Sequence, residues 1–137
     1  MYCSLDDLLA RVDEATLVAL ADDDGDGAVD AGVIEAAATD ASAEIDAALA
    51  GRYAVPFSPV PDLIRGLCAS LAADALFRRR RETPSAAHAV EAERSRALLR
   101  LLASGDIALA GVTPSALPAS NRRTRDKATR PSTLKNM

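Results

Sequence analysis

Apolar residues recur at steps of three and four along most of this chain before Gly105, the spacing that lines one side of an α-helix. Leu5, Leu8, Leu9 and Val12 predict a short first helix, with Ser4 as its N-cap and Asp7 three residues later. Asp13 is a second cap, and Leu17, Val18 and Leu20 predict a helix over Glu14 to Ala21. An acidic, glycine-containing stretch then interrupts the pattern. Asp30 caps a long helix whose apolar stripe is Ile34, Ala38, Ala41, Ile45, Ala48 and Leu49 and whose polar face is Glu35, Thr39, Ser42 and Asp46; it ends at Gly51 or one residue on, at Arg52. Pro61 suits the first turn of the next helix, which buries Leu63, Ile64, Leu67, Cys68, Leu71, Ala75 and Leu76 and runs into Arg78, Arg79, Arg80 and Arg81. Thr83 and Pro84 have the grammar of a last helix start, with Ala87, Val90, Ala97, Leu98, Leu101 and Leu102 apolar and Gly105 as the stop.

Between the two longest apolar patterns lies Tyr53-Ala-Val-Pro-Phe-Ser-Pro-Val-Pro61, which cannot be helical: its prolines lack amide donors and push their preceding residues into extended geometry. It carries two of the four aromatic residues, Tyr53 and Phe57. It reads either as an exposed docking strand or as a connector packed on its own domain. Ile107 to Ala110 reads as a short strand or a packed arm. Beyond Gly111 the composition turns to Pro, Ser, Thr, Arg and Lys, which builds no core and predicts a tail that orders on a partner.

With 137 residues and 49% hydrophobic content the chain supports one core. That content is mostly Ala and Leu, aromatics are 3% and Trp is absent, so the expected class is all-α: a small bundle of about four to five close-packed helices with an extended proline-rich crossover and a C-terminal arm. The expected division is a helical domain over 1–111 and a basic tail over 112–137. Cys3 and Cys68 are too few and too far apart for a disulfide framework or a zinc site, so both are expected as reduced thiols in a cytosolic setting. No secretory signal is expected where Asp6 and Asp7 follow so soon after Met1, and no apolar run approaches the roughly twenty residues that cross a bilayer, so no membrane partner is expected.

The net charge of −4 conceals two opposed ends. Residues 1–50 carry thirteen acids and one base, whereas residues 121–137 carry six bases and one acid. Such a molecule can associate head to tail or meet two partners of different charge. The acidic stretch from Asp22 to Asp30 follows the calcium-loop template over its first nine positions, with Asp22, Asp24, Asp26 and Asp30 as metal-ligand candidates and Gly27 at the turn. Val33 occupies the position where the bidentate Glu should close the sphere, which leaves the ion short of its usual six or so oxygens. The alternative is a solvated acidic turn that caps the following helix. Catalysis has little material: the single histidine, His88, is expected as a solvated helix residue, no phosphate-binding glycine loop follows a strand, and the carboxylates crowd one loop instead of converging from several elements, so no enzyme is expected. Arg122, Arg123, Arg125, Lys127, Arg130 and Lys135 suit phosphates or an acidic protein groove, and with no aromatic among them they cannot stack bases.

Taken in order, these pieces resemble the Mu-like phage head-tail adaptor family, the connector or head-completion proteins, formerly a phage domain of unknown function. The resemblance covers about residues 1 to 111 and rests on Met1-Tyr2 with Leu5, Asp7 and Leu8; the Asp22–Asp30 loop; Ala43-Glu44-Ile45-Asp46 with Leu49, Gly51-Arg52-Tyr53 and Val55-Pro56; Pro59 and Pro61 leading into Leu63-Ile64; Ala72-Ala73-Asp74 with Leu76; and Ser104-Gly105-Asp106-Ile107-Ala108-Leu109. It implies a helical virion subunit assembling as a homo-oligomeric, dodecameric ring below the portal protein, at the head-tail interface of a particle built in the host cytoplasm. The ring would extend the channel for genomic DNA without binding it specifically, and would seat a tail terminator or other tail-attachment protein, with no cofactor required. The long basic tail and the four-arginine run depart from the family pattern. The tail cations are then candidates for contact with the portal or a neighbouring subunit, and Tyr53, Phe57 and Arg78 to Arg81 for interfaces. The rival readings are a small calcium-binding interaction module built on the Asp22–Asp30 loop and a nucleic-acid-binding accessory protein built on the tail.

Overall fold

Local capping chemistry sets the first two helices. The Ser4 amide donates to Asp7 Oδ2 at 2.9 Å and opens α1 (Leu5–Leu9), and Asp13 Oδ2 accepts from the Thr16 amide at 3.0 Å and opens α2 (Glu14–Ala21). The computed structural model describes residues 1–115, and three further helices complete that region: α3 (Ala31–Leu49), α4 (Asp62–Arg79) and α5 (Ala86–Ser104). No strand occurs among the described residues, so the fold is all-α as expected.

α4 is the hub and touches α1, α2, α3 and α5. Ten of its residues are buried, from Ile64 to Phe77, because it packs against all four of the other helices. Both helices bury small side chains, Ala37, Ala38, Ala41 and Ser42 of α3 and Cys68, Ala69, Ala72 and Ala73 of α4, and at their seam Cys68 Sγ lies 3.7 Å from the Ala38 carbonyl oxygen. Side chains of that size let helix axes approach closely, which is how an alanine-rich chain with few aromatics fills a core.

Several expectations shift once the helices meet. Ser42 belongs to the core, not to the polar face of α3; its hydroxyl donates to the Ala38 carbonyl at 2.8 Å and accepts from the Tyr2 amide at 2.9 Å. α3 ends at Leu49 with Ala50 as cap, ahead of Gly51. α5 starts later than Thr83-Pro84 implies: Ser85 is the cap, its Oγ accepting from the His88 amide at 3.3 Å. Its buried face is Ala92, Ser95, Leu99 and Leu102, while Val90 (56% exposed) and Leu101 (40%) point outward. Leu63, Leu5 and Leu9 are likewise exposed.

The proline-rich crossover packs on its own domain. Tyr53 and Phe57, offered above as exposed interface candidates, are 1% and 6% exposed: their rings belong to the apolar core. Tyr2, Tyr53 and Phe57 form one aromatic cluster, with ring centroids 5.9 Å and 6.1 Å apart and tilted planes. The Tyr2 hydroxyl donates to Asp46 and accepts from the Phe57 amide at 3.0 Å, and burial together with the Asp46 bond pushes its phenol up to about 12. Ile107 to Ala110 is a packed arm: Leu109 is buried, and its amide donates to the Tyr53 hydroxyl at 3.1 Å. The arm continues to Ser115, whose amide donates to the Arg52 carbonyl at 2.8 Å. Gly105 makes the turn into it at φ 87, with the Arg52 guanidinium lying where a Cβ would stand.

Candidate functional site

The acidic loop between α2 and α3 is the most organised polar feature of the described residues. Its backbone reverses through Gly25 (φ 75) and Gly27 (φ 84), a geometry that side chains disfavour. Asp22 sits at the centre: Oδ1 accepts from the Gly25 and Asp26 amides at 2.8 and 3.2 Å, and Oδ2 from the Gly27 amide at 2.8 Å. Asp24 accepts from the Asp26 amide at 3.1 Å, and Asp26 from the Ala28 amide at 2.9 Å. Asp30 stands at the N-cap of α3, yet its carboxylate turns back across the loop and accepts from the Asp23 amide at 2.7 Å in place of capping that helix.

Carboxylate oxygens of Asp22, Asp24, Asp26 and Asp30 all lie within 4.8 Å of one another, so the structure brings together the four metal-ligand candidates. The donor set is nevertheless incomplete for calcium. Both Asp22 oxygens are engaged by backbone amides, and Val33, at the closing position, is partly buried against the core. The geometry agrees with the alternative only in part: the turn is acidic and ordered by its own main chain, but its Asp30 carboxylate does not cap the following helix.

Two arginines of the four-arginine run hold that turn from the far side. Arg80 donates through Nε to the Leu20 carbonyl at 3.2 Å and through Nη2 to the Asp22 carbonyl at 2.8 Å and Asp23 Oδ1 at 2.9 Å. Arg79 donates to the Leu20 carbonyl at 3.3 Å and pairs with Asp23 Oδ2. Here the C-terminal end of α2 and the last turn of α4 are tied by guanidinium forks to main-chain oxygens that have left the helix ladder. Arg78 pairs with Asp74 at 2.8 Å, and Arg81, past the helix end at φ 57, is exposed. The run offered above as an interface is therefore largely occupied within the chain. Asp23, the one acid of the loop that the ligand template passes over, is the one that takes both cations.

His88, expected as a solvated helix residue, is half-buried and engaged by its neighbours. Its Nδ1 lies 3.0 Å from Ser85 Oγ, its Nε2 3.1 Å from the Arg11 carbonyl oxygen, and its ring 5.3 Å from that of Phe77, so it fastens the start of α5 to the turn after α1. Arg96 of α5 bridges Glu44 of α3 at 3.2 Å and Asp74 of α4 at 3.1 Å. Neither tie carries a signal in the sequence, because each joins residues far apart in the chain. The tail candidates Arg122, Arg123, Arg125, Lys127, Arg130 and Lys135 lie outside the described residues.

Proton affinities in the loop follow its hydrogen bonds. The Gly27 amide, helped by Asp24 and by the Gly25 and Asp26 amides, holds the Asp22 carboxyl below its ordinary 3.8. The Thr16 hydroxyl and amide do the same for Asp13. Asp24 goes the other way: the Asp26 amide pulls it down, but the bond to Asp22, desolvation and the neighbouring Asp26 carboxylate leave it raised. A lowered folded value means that Asp22 and Asp13 contribute stability in full above the unfolded value and lose it as pH falls through the folded one. Asp24, with a raised folded value, favours the fold only on the acid side. Urea unfolding followed from neutral pH to below 3.8 should show stability falling at the acid end, and Asp22→Asn should flatten that fall. An unchanged acid limb in Asp22→Asn would show that the loop amides do not hold that carboxylate.

A family model described as Bacteriophage Mu, Gp36 matches residues 2–126. No curated protein matches the chain. The match agrees with the resemblance carried by the helical region and runs on past Gly111, so the family pattern takes in part of the basic segment, including Arg122, Arg123 and Arg125. The basic tail therefore does not depart from the family pattern over its whole length. Among the described residues no helix is long and apolar enough to cross a membrane.

Proposed function

Because this chain belongs to the Bacteriophage Mu, Gp36 family, and is thereby a phage structural or assembly protein, we propose that it is a head-tail adaptor. In this reading it forms an oligomeric ring below the portal, extends the DNA channel and carries the platform to which the tail attaches, without catalysis. The observation that carries the proposal is the family match over nearly the whole helical region, joined to the ordered signature from the acidic loop to Arg52-Tyr53.

The surface supports assembly. Val90 and Leu101 fall on one side of α5, about three turns apart, with Ala97 between them and Arg94 and Arg100 alongside. An apolar stripe flanked by charge on an outward helix face is what a subunit contact needs. The exposed acids Asp24, Asp26, Glu35, Asp40 and Glu44 give the opposite charge, and on the channel side they would repel DNA and let it slide. The basic tail would then meet the portal or a neighbouring subunit.

Electron microscopy of particles containing the protein should show a ring of this chain between portal and tail, and Val90→Asp with Leu101→Asp should abolish the ring while circular dichroism stays helical. Density for this chain elsewhere in the particle would sink the proposal. So would a double variant that still forms rings, for the α5 contact alone.

A further inference from the structure

We propose that Cys3 and Cys68 form a modification site, a thiol pair that hydrogen peroxide or a comparable two-electron oxidant closes into an intrachain disulfide linking the N-terminal segment to the middle of α4. The two sulfurs lie 2.8 Å apart, although 65 residues separate them in the sequence. A displacement of less than about 1 Å brings that separation to the roughly 2.05 Å of a disulfide. Both cysteines are free and buried, so the pair is held together by the fold and shielded from other thiols.

The surroundings favour one sulfur as the nucleophile. Cys68 Sγ lies 3.5 Å from Ser42 Oγ and shares a hydrogen bond with the Cys3 sulfur in which either thiol can donate; that bond and Ser42 draw the Cys68 thiol below its ordinary value, while the same bond, with burial, pushes Cys3 up. A low thiol beside a neutral one is the arrangement of an attacking and a resolving cysteine. Cys3 retains 4% of its surface and lies two residues from Met1, itself 63% exposed, so only a thin cover separates the pair from a molecule as small as peroxide.

The chemistry balances as follows. The Cys68 thiolate attacks one peroxide oxygen: the S–O bond forms, the O–O bond breaks, and hydroxide leaves, giving a sulfenic acid. Cys3 sulfur then attacks the sulfenic sulfur: the S–S bond forms, the S–O bond breaks, and water leaves with the Cys3 proton. The hydroxide is neutralised by the proton that Cys68 had released. Each sulfur loses one electron, and the peroxide gains two and becomes two waters.

The bond would secure the segment that already spans the core. Next to Cys3, the Tyr2 amide bonds to Ser42 and its hydroxyl to Asp46 and the Phe57 amide. Closing a long loop restricts the unfolded chain far more than the folded one, so the oxidised protein should melt about 10 °C higher.

The test treats the full chain with hydrogen peroxide under native conditions, then denatures it, adds N-ethylmaleimide and measures intact mass. A monomer that has lost two hydrogens and takes up no maleimide is expected, with a higher melting temperature that a reductant reverses. Cys3→Ser, a near-isosteric change, should keep the fold and close no disulfide; with no resolving thiol its Cys68 stops at the sulfenic acid, which dimedone traps. Two thiols that remain alkylatable, a product present only as intermolecular dimers, or closure no faster natively than in urea would each overturn the proposal.

Discussion

Replacing Tyr53 by alanine is expected to destabilise the fold by about 4 kcal/mol, a large share of the 5–15 kcal/mol typical of a domain. Its side chain is 1% exposed, its ring lies against Phe57, and its hydroxyl accepts the Leu109 amide, so one residue closes the crossover and anchors the arm. Alanine leaves a cavity the size of the lost ring, which the close-packed core around it can only partly fill. It also leaves a buried amide without a partner. Tyr53→Phe separates the two effects: it keeps the ring and loses only the hydroxyl, for about 1–2 kcal/mol. Urea unfolding gives the magnitudes, and hydrogen exchange at the Leu109 amide reports the arm directly. If Tyr53→Phe left that amide as protected as before, the hydroxyl would not be what holds the arm.

The double change Arg79→Gln and Arg80→Gln is expected to lower stability by about 2 kcal/mol. The pair with Asp23 is more than a third exposed and screened by water, so most of this comes from the Leu20 and Asp22 carbonyls, which lose their donors. Arg80→Lys should recover little, because an ammonium cannot reach Leu20, Asp22 and Asp23 at once as the guanidinium fork does. A double-mutant cycle with Asp23→Asn, measured at low and high salt, isolates the ion pair from the carbonyl bonds. Full stability in Arg80→Lys, with additive cycle energies, would show that the arginines act as charge alone.

How much of this was readable beforehand differs from element to element. Asp13 with Glu14 to Ala21, the Ser4–Asp7 box and the Gly105 stop depend on neighbours within one turn, and each was recoverable from spacing. The side of α5 that is buried was not. Alanines are scattered around that helix, and alanine is accepted inside and outside alike, so the apolar pattern admits more than one rotation. Packing on α3 and α4 selected Ala92, Ser95, Leu99 and Leu102 and left Val90 and Leu101 outside. The acidic loop was found as a loop and its four ligand candidates do converge, but its actual partners, Arg79 and Arg80, come from the far end of α4.

By itself, then, the sequence determined what depends on local backbone chemistry: five helical segments, the Ser4 and Asp13 caps and the Gly105 stop, the glycine turns of the acidic loop, the non-helical proline crossover, and the opposite charge of the two ends. Tertiary structure alone decided the inward turn of Tyr53 and Phe57, the burial of Ser42, the arginine grip on Asp23 and the meeting of Cys3 with Cys68. The physical reason is range. Capping and periodicity act within a turn or two of helix, whereas these contacts join residues 26 to 65 or so positions apart and exist only once α4 is surrounded by its neighbours.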